Sequence, residues 1–382
     1  MTEQPRLSGP SSGPMSYLNW HWLSGAEPAE VMEYPLFTDA QLVGEFVFGP
    51  YTIINAIADV DNDADLPSAY LRASLADMRL PDMNSTKDDA HHGGSFENEL
   101  AALMSLAFGM RVYAGTASRY FQRGGDPKGR PWSVTHGYAS RPTLLGAAKR
   151  RPVLPHIRGK RTLESIQCLT HFDRLQAEDA IAVMRVARLY QDSVWLAESQ
   201  PALAWLLMVS AVEAAAQHWA RAAAEDLVGR LERWKPELCH AIQESGGRQL
   251  LEQAASAIAP VIGSTSKFVK FLIKHAPDPP GGRPPEYAQI SWSTTKRSEL
   301  YSTIYDYRSR ALHSGKPFPT PMCDPPRKIA DAYGEKPDGS AVGVGFSVWR
   351  AKDVPILLST FELIARQALQ NWWQLLLEPV DS

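Results

Sequence analysis

Cysteine is scarce in this chain: Cys168, Cys239 and Cys323 are spread through 382 residues without a C-x-x-C pair. That excludes a disulfide framework and a thiolate zinc site, and it points to a reducing, cytoplasmic setting. Long hydrophobic runs are missing too. The most apolar stretch, residues 202–216, contains Ser210 and Glu213 and falls short of the roughly 20 residues that a membrane span needs. Neither charge dominates, since 39 Lys+Arg stand against 42 Asp+Glu for a net -3, which argues against a basic nucleic-acid coat protein. Residues 1–17 are rich in Pro, Gly and Ser and lack an apolar segment, so they read as a floppy tail and not as a secretory signal. Phosphate-loop and dinucleotide-binding glycine patterns are absent, as are H-E-x-x-H and G-x-S-x-G. No cofactor and no metal site is expected.

The near-zero net charge hides an asymmetry. Residues 27–99 hold 15 acidic and 3 basic side chains, net -12, whereas residues 100–161 hold 12 basic and 1 acidic, net +11. Such blocks attract each other or meet a charged partner. Within the acidic block, Asp59, Asp61, Asp63 and Asp65 alternate like the start of a calcium loop, but Ala64 replaces the required glycine and Tyr70 the closing glutamate. The run therefore reads as a solvated loop. Asp88, Asp89, His91 and His92 have ligand chemistry without a helical scaffold, and Cys168 with His171 makes only half of a four-ligand zinc set.

Periodicity divides the chain. Residues 45–58 (EFVFGPYTIINAIA) are aromatic and β-branched around Gly49-Pro50 and predict strands. Residues 96–110 place Leu100, Leu103, Ala107 and Met110 on one helical stripe. An α+β domain is expected over residues 18–140, followed by a basic linker over 141–174. From residue 175 long helices take over. Val183, Ala187, Tyr190, Val194 and Ala197 recur at helical spacing, and Pro201 then opens a helix that is apolar almost all round. Further helices are predicted over 225–244, 248–258, 266–275, 296–313 and 354–377. The fold class is thus mainly α, with a helical domain over 175–378.

One segment combines chemistry with position. In residues 305–315 (YDYRSRALHSG), Tyr301, Tyr305, Arg308 and Leu312 share a stripe, so a guanidinium sits on an apolar-aromatic face and needs an acidic partner or an anionic ligand. His313 lies five residues on, about 140° around an ideal helix, and Gly315 is placed to stop the helix. An arginine and a histidine suffice for metal-free RNA cleavage: the imidazole moves a proton while the 2′-hydroxyl attacks phosphorus, and the guanidinium offsets the growing charge. Arg130 with His136, Arg151 with His156 and Arg233 with His240 have similar spacing but sit among prolines. Glu213, alone in an apolar helix, must be paired or protonated: it orients Arg308, reaches solvent, or pairs with a core cation.

The segment YDYRSRALHSG resembles the R-x(4-6)-H motif of HEPN domains, in particular the Apea-like group. The helix pair in residues 188–216 (RLYQDSVWLAESQPALAWLLMVSAVEAAA) is similar to that group's first helix, short turn and apolar helix. The resemblance implies a HEPN-like helical bundle that homodimerises, joins two arginine–histidine pairs in one cleft, and acts as a metal-independent endoribonuclease. It also implies a bacterial defence or toxin setting with a protein or phage-derived trigger. Arg308 and His313 would be catalytic, with Glu213, Ser309 and Arg310 in support. Ser309 stands where active members often carry Asn, Asp or His. The family's other mode is a noncatalytic dimerisation module that binds RNA or protein. For RNA contacts the basic residues Arg119, Arg123, Lys128, Arg130, Lys149, Arg150 and Arg151 are candidates by charge, and Tyr305 by its capacity to stack on a base.

Overall fold

A computed structural model describes residues 10–54, 67–77, 91–92, 94–121, 130–131, 133–135, 151–163, 166–222, 227–258, 263–339 and 341–378. The first part of the chain supplies β1 (Glu30–Phe37), β2 (Ala40–Val43), β3 (Phe46–Phe48), β4 (Tyr51–Ile54), β5 (Ala69–Leu75), β6 (Tyr113–Ala114), β7 (Arg119–Phe121) and β8 (Ser133–Val134). All but β2 form an antiparallel sheet in the order β3-β4-β5-β1-β7-β8, with β6 also on β1. In β5, Ala69, Leu71, Ala73 and Leu75 are buried and the residues between them only half so, the period-2 mark of a sheet with one face on a core. The β3–β4 turn requires Gly49. Its φ is +55°, and a Cβ there would sit 2.1 Å from the Trp20 ring.

The register places Glu33 of β1 opposite both Arg72 of β5 and Arg119 of β7. Its fully buried carboxylate accepts from Arg72 Nε at 2.7 Å and pairs with Arg119. Glu33→Ala would leave two cations facing each other across three strands. It is expected to cost about 2–3 kcal/mol in urea unfolding, below the range for a fully buried pair because both arginines keep some solvent.

Helix α1 (Met15–Leu23) packs on α2 (Phe96–Phe108). Glu99 of α2, buried, accepts from the backbone of Ser16 at 2.8 Å and of Met15 at 3.2 Å, so it satisfies the free N–H groups that open α1. The expected tail over 1–17 therefore ends early: Met15 to Tyr17 are helical, and Tyr17 donates to the Leu175 carbonyl at 2.7 Å. The linker expected over 141–174 is corrected in the same way. Residues 141–150 lie outside the described residues, but Val153, Leu154 and Ile157 are buried and β9 (Gly159–Thr162) pairs in parallel with β2. A Val–Leu–Ile pattern masked by prolines and arginines was the overlooked signal.

Helices α3 (Gln167–Thr170), α4 (Ala177–Leu196), α5 (Pro201–Trp219), α6 (Leu227–Trp234), α7 (Pro236–Ile258, broken at Gly247), α8 (Ser264–His275), α9 (Thr294–Ser314) and α10 (Leu358–Leu376) make the rest mainly α. Between α9 and α10 lie the hairpins β10 (Lys328–Ile329) with β11 (Ala332–Tyr333) and β12 (Ala341–Val344) with β13 (Ser347–Arg350). Helix α5 is central and packs on α4, α8, α9 and α10. Its Trp205, buried, stacks between Phe318 at 5.2 Å and Phe361 at 4.9 Å and donates its indole N–H to the Met322 carbonyl. One hydrophobic core runs from Tyr17 through the sheet and α2 to Trp373 of α10. Among the described residues no helix is long and apolar enough to cross a membrane.

His275, in the last turn of α8, lies between the rings of Trp219 and Phe271 and is pushed down to about 4 by burial, with Lys274 adding to the effect. A histidine depressed in the folded state supports the fold above its unfolded value near 6.5 and loses that support as pH falls toward 4. Thermal melts are expected to fall across that window, by the equivalent of about 2–3 kcal/mol. His275→Gln should flatten this part of the profile.

Candidate functional site

Helix α9 presents its Leu300, Tyr301, Ile304 and Tyr305 edge to the bundle. Arg308 continues this edge one turn later, and α5 brings Glu213 to meet it. Glu213 Oε2 pairs with Arg308 Nη2, and Tyr305 donates to Glu213 Oε1 at 2.5 Å. The guanidinium also lies over the Tyr305 ring, 5.5 Å from its centroid. Glu213 is 8% exposed, so its charge is matched by a cation and by a hydroxyl at the same time. Burial and the bond to Glu213 push the Tyr305 phenol up to about 12, which keeps it a hydrogen-bond donor at neutral pH.

Arg308 itself is half-buried, and among the described residues its Nε has no partner. His313 is exposed in the last turn of α9. Gly315, at φ +63°, ends the helix with its N–H on the Arg310 carbonyl, a left-handed cap for which glycine is the natural residue. Arg308 thus faces inward to α5 while His313 points to solvent, as their 140° offset requires. Ser309 is half-buried between them in sequence, and Arg310 is exposed over the Tyr307 ring at 5.3 Å. Compared with known proteins, the chain matches no family model, no curated protein and no solved structure.

Of the residues considered for RNA contact, the structure describes Arg119, Arg130, Arg151 and Tyr305. Arg119 is committed to Glu33 and lies 4.2 Å over the Tyr70 ring. Arg130 and Arg151 are exposed, and Arg151 borders a cavity of about 550 Å³ with Arg327, Lys336, Asp324 and Asp338. Arg123, Lys128, Lys149 and Arg150 lie outside the described residues, as do the aspartates of the calcium-like run and Asp88 and Asp89. Tyr305 is corrected: it is buried, packs on Phe268 at 5.3 Å and spends its hydroxyl on Glu213, so it has no face for a base. Cys168 is a buried thiol pushed up to about 12 by desolvation. Among the described residues no group of three or more His, Cys, Asp or Glu could hold a metal ion.

Sequence reasoning passed over a second polar cluster. His156, set aside because it follows Pro155, reaches across to Glu362 of α10, which is fully buried and also binds Tyr190 at 2.5 Å and Arg366 at 3.0 Å. The signal was present. Glu362 sits on the apolar stripe of Leu358, Phe361, Ala365 and Leu369, the same anomaly that singled out Glu213.

Proposed function

We propose that this chain is a HEPN-like, metal-independent endoribonuclease acting as a homodimer. The observation that carries the reading is the Glu213–Arg308 pair, which fixes a guanidinium at the rim of the bundle one turn before an exposed histidine at the helix end. A carboxylate that orients an arginine without sealing it leaves donors for a phosphate oxygen.

In the proposed reaction His313 takes the proton of a ribose 2′-hydroxyl while that oxygen attacks the adjacent phosphorus. The bond to the 5′-oxygen breaks, and the imidazolium of the second copy protonates the departing oxygen. The products are a 2′,3′-cyclic phosphate and a 5′-hydroxyl. Arg308 offsets charge on the phosphorane. A second copy is needed because Arg308 and His313 of one chain diverge around α9, so a shared cleft must be built between two helix ends.

Incubation of the full chain with RNA in EDTA is the test. Cleavage that persists, leaves cyclic-phosphate ends and depends on His313 supports the reading. Products with 5′-phosphate ends would overturn it. A second reading, a noncatalytic dimerisation module that binds RNA or protein, is favoured by one observation. Glu213 already matches the charge of Arg308. That reading expects binding without His313-dependent cleavage.

A further inference from the structure

A cavity of about 370 Å³, to which α9 contributes no lining residue, lies between the first half of α10, the proline-rich loop before α9, the β10–β11 hairpin and the turn that carries His156. On α10, Ser359, Thr360, Leu363 and Arg366 line it. Their spacing of one, three and three residues puts all of them on one side of the helix. Ser359 and Thr360 are 4% and 7% exposed as whole residues, and both belong to the cavity lining, where their hydroxyls are open to a bound molecule.

The electrostatics of this cavity are one-sided at depth. Arg366 gives its Nε to Glu362 at 3.0 Å, and among the described residues its two Nη nitrogens have no hydrogen-bond partner. The carboxylates nearest to it are already taken. Glu362 is shared by His156, Tyr190 and Arg366, while Glu335 accepts from Arg283 through both oxygens, at 2.7 and 2.6 Å, and from the Ile290 N–H. Asp278 and Asp331 are exposed and belong to the rim. Helix α10 starts without a side-chain cap, so the N–H groups of its first turn add positive potential at the same end. The remaining wall is apolar, formed by Trp292, Tyr333 and prolines.

We infer that this cavity is a binding site for a small organic anion, whose carboxylate or phosphate group is held by Arg366, Ser359 and Thr360 and whose apolar body rests on the Trp292 and Tyr333 wall. The inference uses no residue of the proposed nuclease site, so either can fail without the other. Hydroxyl and guanidinium donors suit both kinds of acid, and the lining gives no separate recognition for a sugar or a peptide backbone.

Calorimetric titration of the full chain with benzoate, phenyl phosphate and neutral benzamide tests it, because the three share a ring and differ in the acidic group. Saturable binding of benzoate marks a carboxylate ligand, and preference for phenyl phosphate marks a phosphate ester. The double variant Ser359→Ala, Thr360→Ala is expected to weaken the anion by about tenfold, or 1.4 kcal/mol. Leu363→Trp fills the mouth from a position 37% exposed, so the fold is spared and binding should be lost. Three results would overturn the proposal: no saturation by either anion up to about 10 mM, benzamide binding as well as the anions, or both variants binding like the wild type.

Discussion

Replacement of His313 by alanine is expected to lower RNA cleavage by about 10²–10⁴-fold, the usual contribution of a positioned general acid–base group. Its effect on stability should stay within about 0.5 kcal/mol, because the side chain is exposed at the end of α9. This separation gives the experiment its force: gel-resolved cleavage rates read the chemistry, and urea melts read the fold. Arg308→Ala behaves differently. It should abolish cleavage too, but it also leaves Glu213 buried with only the Tyr305 hydroxyl, so a loss of about 2 kcal/mol or more is expected beside the catalytic effect. Unchanged cleavage in His313→Ala would leave the noncatalytic reading standing. Since Arg308 already has a structural partner in Glu213, His313 is the cleaner probe of the proposed chemistry.

The largest expected loss of stability belongs to Glu362→Ala. That carboxylate is fully buried and is shared by His156, Tyr190 and Arg366. Its removal strands two basic side chains and a phenol in a water-poor site, and a cost of about 3–5 kcal/mol follows. Glu362→Gln should be milder, because an amide oxygen can still accept from Tyr190. The same group sets an acid limb. Although burial by itself would raise it, the charges of His156 and Arg366 win and hold Glu362 down at about 2. A carboxylate depressed in the folded state contributes fully above its unfolded value near 4.3, and the contribution drains away as pH falls from there toward 2. Melting temperature against pH, for the wild type and Glu362→Gln, checks this directly: the drop below about pH 4.3 should shrink in the variant.

What could be read from the sequence tracks how local the signal is. The helical stripe of Val183, Ala187, Tyr190 and Val194 became α4, the apolar run after Pro201 became α5, and the aromatic pair around Gly49-Pro50 became β3 and β4. The final helix was placed four residues too early: Val354, Ile356 and Leu357 are buried but precede the first helical turn, and apolar content alone does not distinguish that segment from α10. Strand β1 escaped because Glu33 and Pro35 interrupt its apolar pattern, and only the register with Arg72 and Arg119 explains a carboxylate there. At the candidate site the rule that a buried charge needs a partner singled out Glu213 but left three outcomes open, and the structure shows the pairing with Arg308. The His156–Glu362 contact spans 206 residues of sequence, and no local pattern encodes such a pairing.

The shared core limits how the molecule can be dissected. Arg111, buried beside the sheet, ties Asp39 to Glu198 and the Val194 carbonyl of α4, and Gln191 of α4 holds the Val112 carbonyl. A fragment beginning at residue 175 would keep the Arg308–His313 helix but strip α4 of α2, baring a wide oily flank to water. Such a truncation is a recipe for aggregates. Any loss of activity in it would report insolubility, so mechanistic work on this protein calls for point changes in the intact polypeptide.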